Sequence, residues 1–185
     1  MKKLNKVVIL LCLALAVLNC SSDDDNNSIV DNAVTNKITV GDSDFEMNTA
    51  IVEPTLNNSV FLSLTNKTQA QIEASYSGTT LNNVDYFTAR INHSDLTSNV
   101  TYDLTEISNL EFIVDGDVIN SEYENGFSQF YKSGSDENLE VTQGSIMVTN
   151  YSVDNLTLSF TFLRHDGTQI SGSYNGTFLP LDDLE

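Results

Sequence analysis

The chain has 185 residues, 26 acidic against 8 basic, and a net charge of −18. This length fits one ordinary domain and excludes a string of independent enzymatic modules. The charge excludes nucleic-acid phosphate as a partner, which calls for clustered Lys and Arg. Ser, Thr and Asn together supply 59 residues, a polar excess that suits strands, turns and exposed loops better than helices.

The N-terminus comes first. Lys2, Lys3 and Lys6 form a basic start, and Val7 to Leu18 form an unbroken apolar run of twelve residues. Twelve helical residues span about 18 Å, well short of the roughly 30 Å hydrocarbon core of a bilayer. The run therefore reads as a secretory signal over residues 1–19 rather than a transmembrane helix. Ala14-Leu15-Ala16 offers an ordinary signal-peptidase site, while Val17-Leu18-Asn19-Cys20 offers a lipobox ending at a cysteine to be acylated. The lipobox reading is preferred, because Cys20 stands where the apolar run stops and Ser21, Ser22, Asp23, Asp24 and Asp25 follow it directly.

Residues 1–28 resemble the export signal of Bacteroidota-type surface lipoproteins, in which a short acidic run after the lipidated cysteine directs the protein to the outer face of the cell. Asn19 departs from the Gly or Ala of the usual lipobox. The resemblance implies a palmitate-bearing Cys20, an outer-membrane anchor and a surface-exposed protein. Residues 20–34 are then the lipidated cysteine and an acidic flexible tether, reaching at most roughly 50 Å when extended. Cys12 leaves with the signal and an acylated Cys20 makes no disulfide, so the domain over 35–185 must be held by its apolar core.

Within that domain the recurring pattern has period two, the mark of half-buried strands. Ile38 and Val40 precede Gly41-Asp42-Ser43-Asp44, after which Phe45 and Met47 resume the alternation. Phe87, Ala89 and Ile91 alternate against Tyr86, Thr88 and Arg90. Val100, Tyr102 and Leu104 follow, then Leu110, Phe112 and Val114 before Asp115-Gly116. No stretch carries a capped helical apolar stripe. Ala74–Leu81 matches Gly172–Leu179 at five of eight positions, which in so Ser- and Thr-rich a chain reads as coincidence rather than duplication.

The sharpest expectation concerns a hairpin. Leu156, Leu158, Phe160 and Phe162 share one face; after His165-Asp166-Gly167, Ile170, Gly172, Tyr174 and Gly176 share another. A two-residue Asp-Gly turn would set Phe160 against Ser173 and mix polar with apolar faces. A three-residue loop instead sets Phe162 against Ile170, Phe160 against Gly172, Leu158 against Tyr174 and Leu156 against Gly176, with Gly167 in the left-handed position. This hairpin also resembles the closing hairpin of small β-sheet lipoproteins from the same bacterial group, which implies a shape and no reaction. The expected fold is all-β, an antiparallel two-sheet sandwich of about eight to ten strands, with a closed lipocalin-like barrel as the alternative.

Candidate chemistry is sparse. His93 and His165 read as exposed loop residues, and no metalloprotease, nucleophile-elbow, P-loop or dinucleotide motif is present. Asp115 with Asp117, and Glu122 with Glu124, could present paired acids at i, i+2 for glycoside hydrolysis, although solvated surface is the simpler reading. Asp115, Asp117 and Asp136 are hard oxygen ligands for calcium in apparent loops, without EF-hand spacing. Tyr123, Phe127, Phe130 and Tyr131, interleaved with polar residues, form the candidate ligand patch. The expected function is a surface-anchored binding or interaction module for a glycan, peptide or partner protein. A carrier of a small apolar ligand and a carboxylate-dependent hydrolase are the alternatives.

Overall fold

The computed structural model describes residues 36–181. The readings of the signal, of Cys20, of Ser21, Ser22, Asp23, Asp24 and Asp25, and of the tether fall outside the described residues. Thirteen strands, one α-helix and one 3-10 turn (Glu137–Leu139) make up the regular structure among those residues. The first sheet orders β2 (Ser43–Glu46), β1 (Lys37–Val40), β12 (Gln169–Gly176), β11 (Leu156–Arg164), β10 (Val141–Tyr151) and β6 (Val100–Asp103). The second orders β13 (Phe178–Pro180), β3 (Thr49–Thr55), β4 (Ser59–Thr65), β5 (Leu81–Ile91), β7 (Ile107–Ile119) and β8 (Glu122–Glu124), with β9 (Phe127–Tyr131) also paired to β7.

The all-β sandwich is as expected, with two differences. There are thirteen strands rather than eight to ten, because β2, β8 and β13 have only three or four residues, too few to show an alternation. One pair, β13 with β3, is parallel. The closed lipocalin-like barrel is not formed: the sheets keep separate edges, and phenylalanines fill the space a carried ligand would need. Phe87 of β5 stacks on Phe160 of β11 with ring centres 4.8 Å apart and planes 8° from parallel. Phe112, Phe130 and Phe162 surround that stack with centre distances between 5.5 and 6.2 Å. Burying several such rings supplies the apolar drive that a domain without disulfides requires.

The C-terminal hairpin adopts the three-residue loop. Phe162 pairs with Ile170, Phe160 with Gly172, Leu158 with Tyr174 and Leu156 with Gly176. Gly167 has φ +87°, and its N–H donates to the Arg164 carbonyl at 3.0 Å, closing the turn. The Arg164 guanidinium bonds the Asp166 carboxylate in the loop and holds its pKa well below the ordinary carboxylate range.

Two local features depart from the sequence reading. The helix α1, Gln69–Tyr76, was not expected, because it buries only Ile72 and Ser75 and so shows no apolar stripe. It is set by a capping box: Thr68 Oγ1 accepts from the Gln71 N–H at 3.4 Å, and Gln71 Oε1 accepts from the Thr68 N–H at 2.9 Å. Asp115-Gly116 is not the end of a strand. β7 runs through it to Ile119, and a bulge absorbs the extra residue, with Asp115 at φ +54°. Ala74–Tyr76 is helical where Gly172–Gly176 is strand, so the short internal match is not a structural repeat.

A Cβ at Gly172 would lie 2.1 Å from the tip of the Phe160 ring, which is pinned on its other side by Phe87. Gly172→Ala is expected to destabilise the domain by about 1–3 kcal/mol, although alanine ordinarily suits a strand no worse than glycine. A urea denaturation midpoint equal to or above wild type would contradict the stack's rigidity.

Candidate functional site

The outer face of the second sheet carries a cleft, and a wider, more open hollow lies on the first sheet beside Gly144, Thr161 and Ser171. Three cross-strand rows build the floor of the cleft: Thr65 with Tyr86, Ile51 with Ser63, and Glu53 with Phe61. Two bulges on adjacent strands shape one end. On β5 the extra residues include Asn83 at φ +53°, and on β7 they include Asp115. Asp85 ties the bulges together: one carboxylate oxygen accepts from the Asp115 N–H at 3.1 Å and the other from Asn66 Nδ2 at 3.1 Å. Burial raises the Asp85 pKa and the Asp115 charge adds to the rise, while these hydrogen bonds and Lys67 oppose it.

The helix α1 roofs this floor. Ile72, Ser75 and Tyr76 descend from it, Val118 and Tyr123 close the far wall, and a cleft of about 230 Å³ remains. The Ser121 hydroxyl donates to the Ser75 carbonyl at 3.3 Å, joining the β7–β8 turn to the helix. Tyr123 lies across Gly116, where a Cβ would fall 2.1 Å from its hydroxyl, and it donates to the Val84 carbonyl at 2.6 Å. The Tyr86 hydroxyl bonds Ser63 Oγ at 2.8 Å, and the Tyr86 and Tyr123 rings sit 5.8 Å apart. Tyr76 is 53% exposed at the cleft mouth.

The phenols of this cleft are held protonated. Burial pushes Tyr123 up to about 12, with the charges of Asp85, Asp115 and Asp117 adding to the effect. Burial likewise raises Tyr86 and Tyr76, and Glu53 contributes to both. Ser63, Ser75, Ser121 and Tyr123 already have partners within the protein. The cleft thus offers mainly aromatic and aliphatic surface, with Glu53 and Lys67 as its charged groups.

The residues singled out from sequence are dispersed. Of the expected ligand patch, only Tyr123 enters the cleft. Phe130 is 0% exposed, paired with Phe112 and turned into the core, because a bulge between Phe112 and Ile113 resets the alternation of β9. Tyr131 is buried over Gly134, its hydroxyl donating to the Asp136 carbonyl at 2.8 Å. Phe127 is 67% exposed and lies outside the cleft lining. The four therefore do not form one exposed surface.

The calcium candidates are separated in the same way. Asp115 and Asp117 stand in β7 rather than a loop, and Asp136 caps the 3-10 turn through the Asn138 N–H at 3.0 Å. No group of three or more His, Cys, Asp or Glu is placed to hold a metal ion among the described residues. Glu122 and Glu124 are exposed on β8, and among the described residues Glu53 is the one carboxylate lining the cleft. His93 bonds Glu106 at 2.9 Å and His165 lies 3.2 Å from Glu137, both away from the cleft. No family model, curated protein or solved structure matches this chain.

Sequence reasoning passed over Tyr76, Tyr86 and the roof. The Thr68-x-x-Gln71 spacing was the available signal for the helix, and the position of Tyr86 opposite the Phe87, Ala89, Ile91 face marked it as outward-pointing.

Two outcomes follow. Thr68→Ala removes the cap and should cost about 1 kcal/mol; hydrogen exchange should quicken in α1 more than in β4 or β5, and uniform acceleration would contradict a locally capped roof. For Tyr123, a folded pKa above the ordinary value near 10 means that folding favours the neutral phenol. Its contribution is complete below about pH 10 and is lost as pH rises through about 12. Ultraviolet titration of Tyr123→Phe against wild type should remove a late phenolate step, not one near pH 10.

Proposed function

We propose that this chain is a lipid-anchored protein of the cell surface that captures a small ligand in the cleft beneath α1. The observation that carries the binding reading is the cleft itself: aromatic and aliphatic walls converge from β3, β4, β5, α1 and the β7–β8 turn around about 230 Å³. A largely apolar concavity with a few polar groups is the usual form of a small-molecule site. The Ser63, Tyr86 and Tyr123 hydroxyls of its wall are already paired inside the protein, so that part of the surface is preorganised and needs little side-chain ordering on binding.

Support for the anchor comes from the sequence. The basic start, the twelve-residue apolar run, Cys20 and the acidic residues after it form the pattern of an exported, acylated protein. Residues 20–34 would then give the domain reach from the outer membrane, and the −18 charge would keep its surface off anionic head groups.

Each half has its own test. Metabolic labelling with a palmitate analogue should mark the wild-type protein and not Cys20→Ala, which should move from the membrane to the soluble fraction; equal labelling of both refutes the anchor. For the cleft, a ligand screen read by thermal shift should return compounds that stabilise wild type and whose effect shrinks in Tyr76→Ala. A broad screen in which every stabilising compound is indifferent to Tyr76→Ala would place binding elsewhere.

A further inference from the structure

The rings of the cleft and the balance of charge around them narrow what it accepts. Tyr76 reaches it from α1, Tyr86 from β5 and Tyr123 from β8. The hydroxyls of Tyr86 and Tyr123 are held by Ser63 Oγ at 2.8 Å and by the Val84 carbonyl at 2.6 Å. Pinned by those bonds, the two rings stand 5.8 Å apart with planes 32° from parallel. That separation lies in the range where aromatic rings attract one another in offset or tilted pairs. Ile72 and Val118 add aliphatic surface from the roof and the far wall.

The charges near this surface offset one another. Glu53 and Lys67 both line the cleft, and Glu53 is engaged within the protein. Glu53, Phe61 and Arg90 form one row across β3, β4 and β5, and the Arg90 guanidinium lies over the Phe61 ring at 5.4 Å. Asp85, Asp115 and Asp117 influence Tyr123 from outside the lining, and Lys67 acts on Asp85. Burial keeps all three phenols neutral. A cation would meet Lys67 and an anion would meet Glu53, so charge of either sign gains little to replace the hydration it gives up.

We propose that the cleft takes a neutral, flat compound of two fused aromatic rings, packed against Tyr76, Tyr86 and Tyr123. This inference rests on the cleft being the ligand site and adds the class of ligand. An apolar cavity of about 150 Å³ is enough for one benzene, so a cleft of about 230 Å³ has room for a second, fused ring. Other neutral classes fit less well. A sugar needs several free hydrogen-bonding groups, whereas Ser63, Ser75 and Ser121 are already committed to partners in the protein. A saturated hydrocarbon would fill the same space and forgo the attraction between rings.

The test is calorimetric titration of the full-length protein near neutral pH with four probes built on one bicyclic frame. They are naphthol, its fully saturated counterpart decahydronaphthol, naphthoate and naphthylmethylammonium. Naphthol should bind saturably, the saturated alcohol about fivefold more weakly, and each ion about tenfold more weakly or worse. Tyr76→Leu should weaken naphthol by about fivefold and leave the denaturation midpoint unchanged. Tyr123→Phe keeps the ring and loses the hydroxyl, so naphthol affinity should stay within about twofold of wild type. Phe127→Ala removes an exposed ring outside the lining and should change nothing.

Equal binding of naphthol and its saturated counterpart overturns the aromatic assignment, and tighter binding of either ion overturns the neutral one. Failure of naphthol to bind, or binding unmoved by Tyr76→Leu, overturns both. In the first two cases a loss of affinity in Tyr76→Leu would still leave the cleft as the ligand site. The ligand-site reading falls only if the broad screen described above also fails.

Discussion

The stack of Phe87 on Phe160 is the contact on which the rest of the fold depends. It joins a central strand of one sheet to a central strand of the other, and it exists because Gly172 leaves room for the Phe160 ring. With no cysteine in the domain, the two sheets must be held by packing, and this ring pair fixes their relative position. A sandwich closed in that way has no interior left for a ligand. Any concave surface of size has to be made outside, and the second sheet makes one.

How a sheet exterior becomes concave is a matter of backbone irregularity. A regular pleated face is nearly flat, but the bulges at Asn83 and Asp115 twist β5 and β7 at one end, and Asp85 holds them in register with each other. The short helix then spans the hollow, docked by Ile72 and latched by Ser121. Buried Ser59, Ser63 and Thr65 on the outer face are satisfied by neighbouring side chains and backbone, which lets a polar sheet surface lie under a roof without orphaned hydroxyls.

Much of the sandwich was legible because its strands alternate strictly. The hairpin of β11 and β12 could be registered from residue faces alone, since a slip of one position would have exposed Phe160 and Phe162. What could not be read were the places where alternation breaks. The bulge in β9 sends Phe130 into the core, and the bulge at Asp115 looks in sequence like a turn. The helix escaped notice because one isoleucine makes no stripe, although its capping box was written in Thr68 and Gln71. The cleft itself draws on residues from 51 to 181, a convergence that no local pattern announces. Tyr123 was singled out for a different neighbourhood from the one it occupies.

The strands that border each sheet bear on how copies of the domain meet. β2 reads Ser-Asp-Phe-Glu, β8 reads Glu-Tyr-Glu, β6 ends on Asp103 and β13 ends on Pro180. Open backbone at such borders is what allows one molecule to zip onto the next, yet here each border is brief, and acid or proline interrupts it. Copies packed densely side by side would meet like charge before they met free amides. The molecule is thereby fitted to a high local concentration without polymerising.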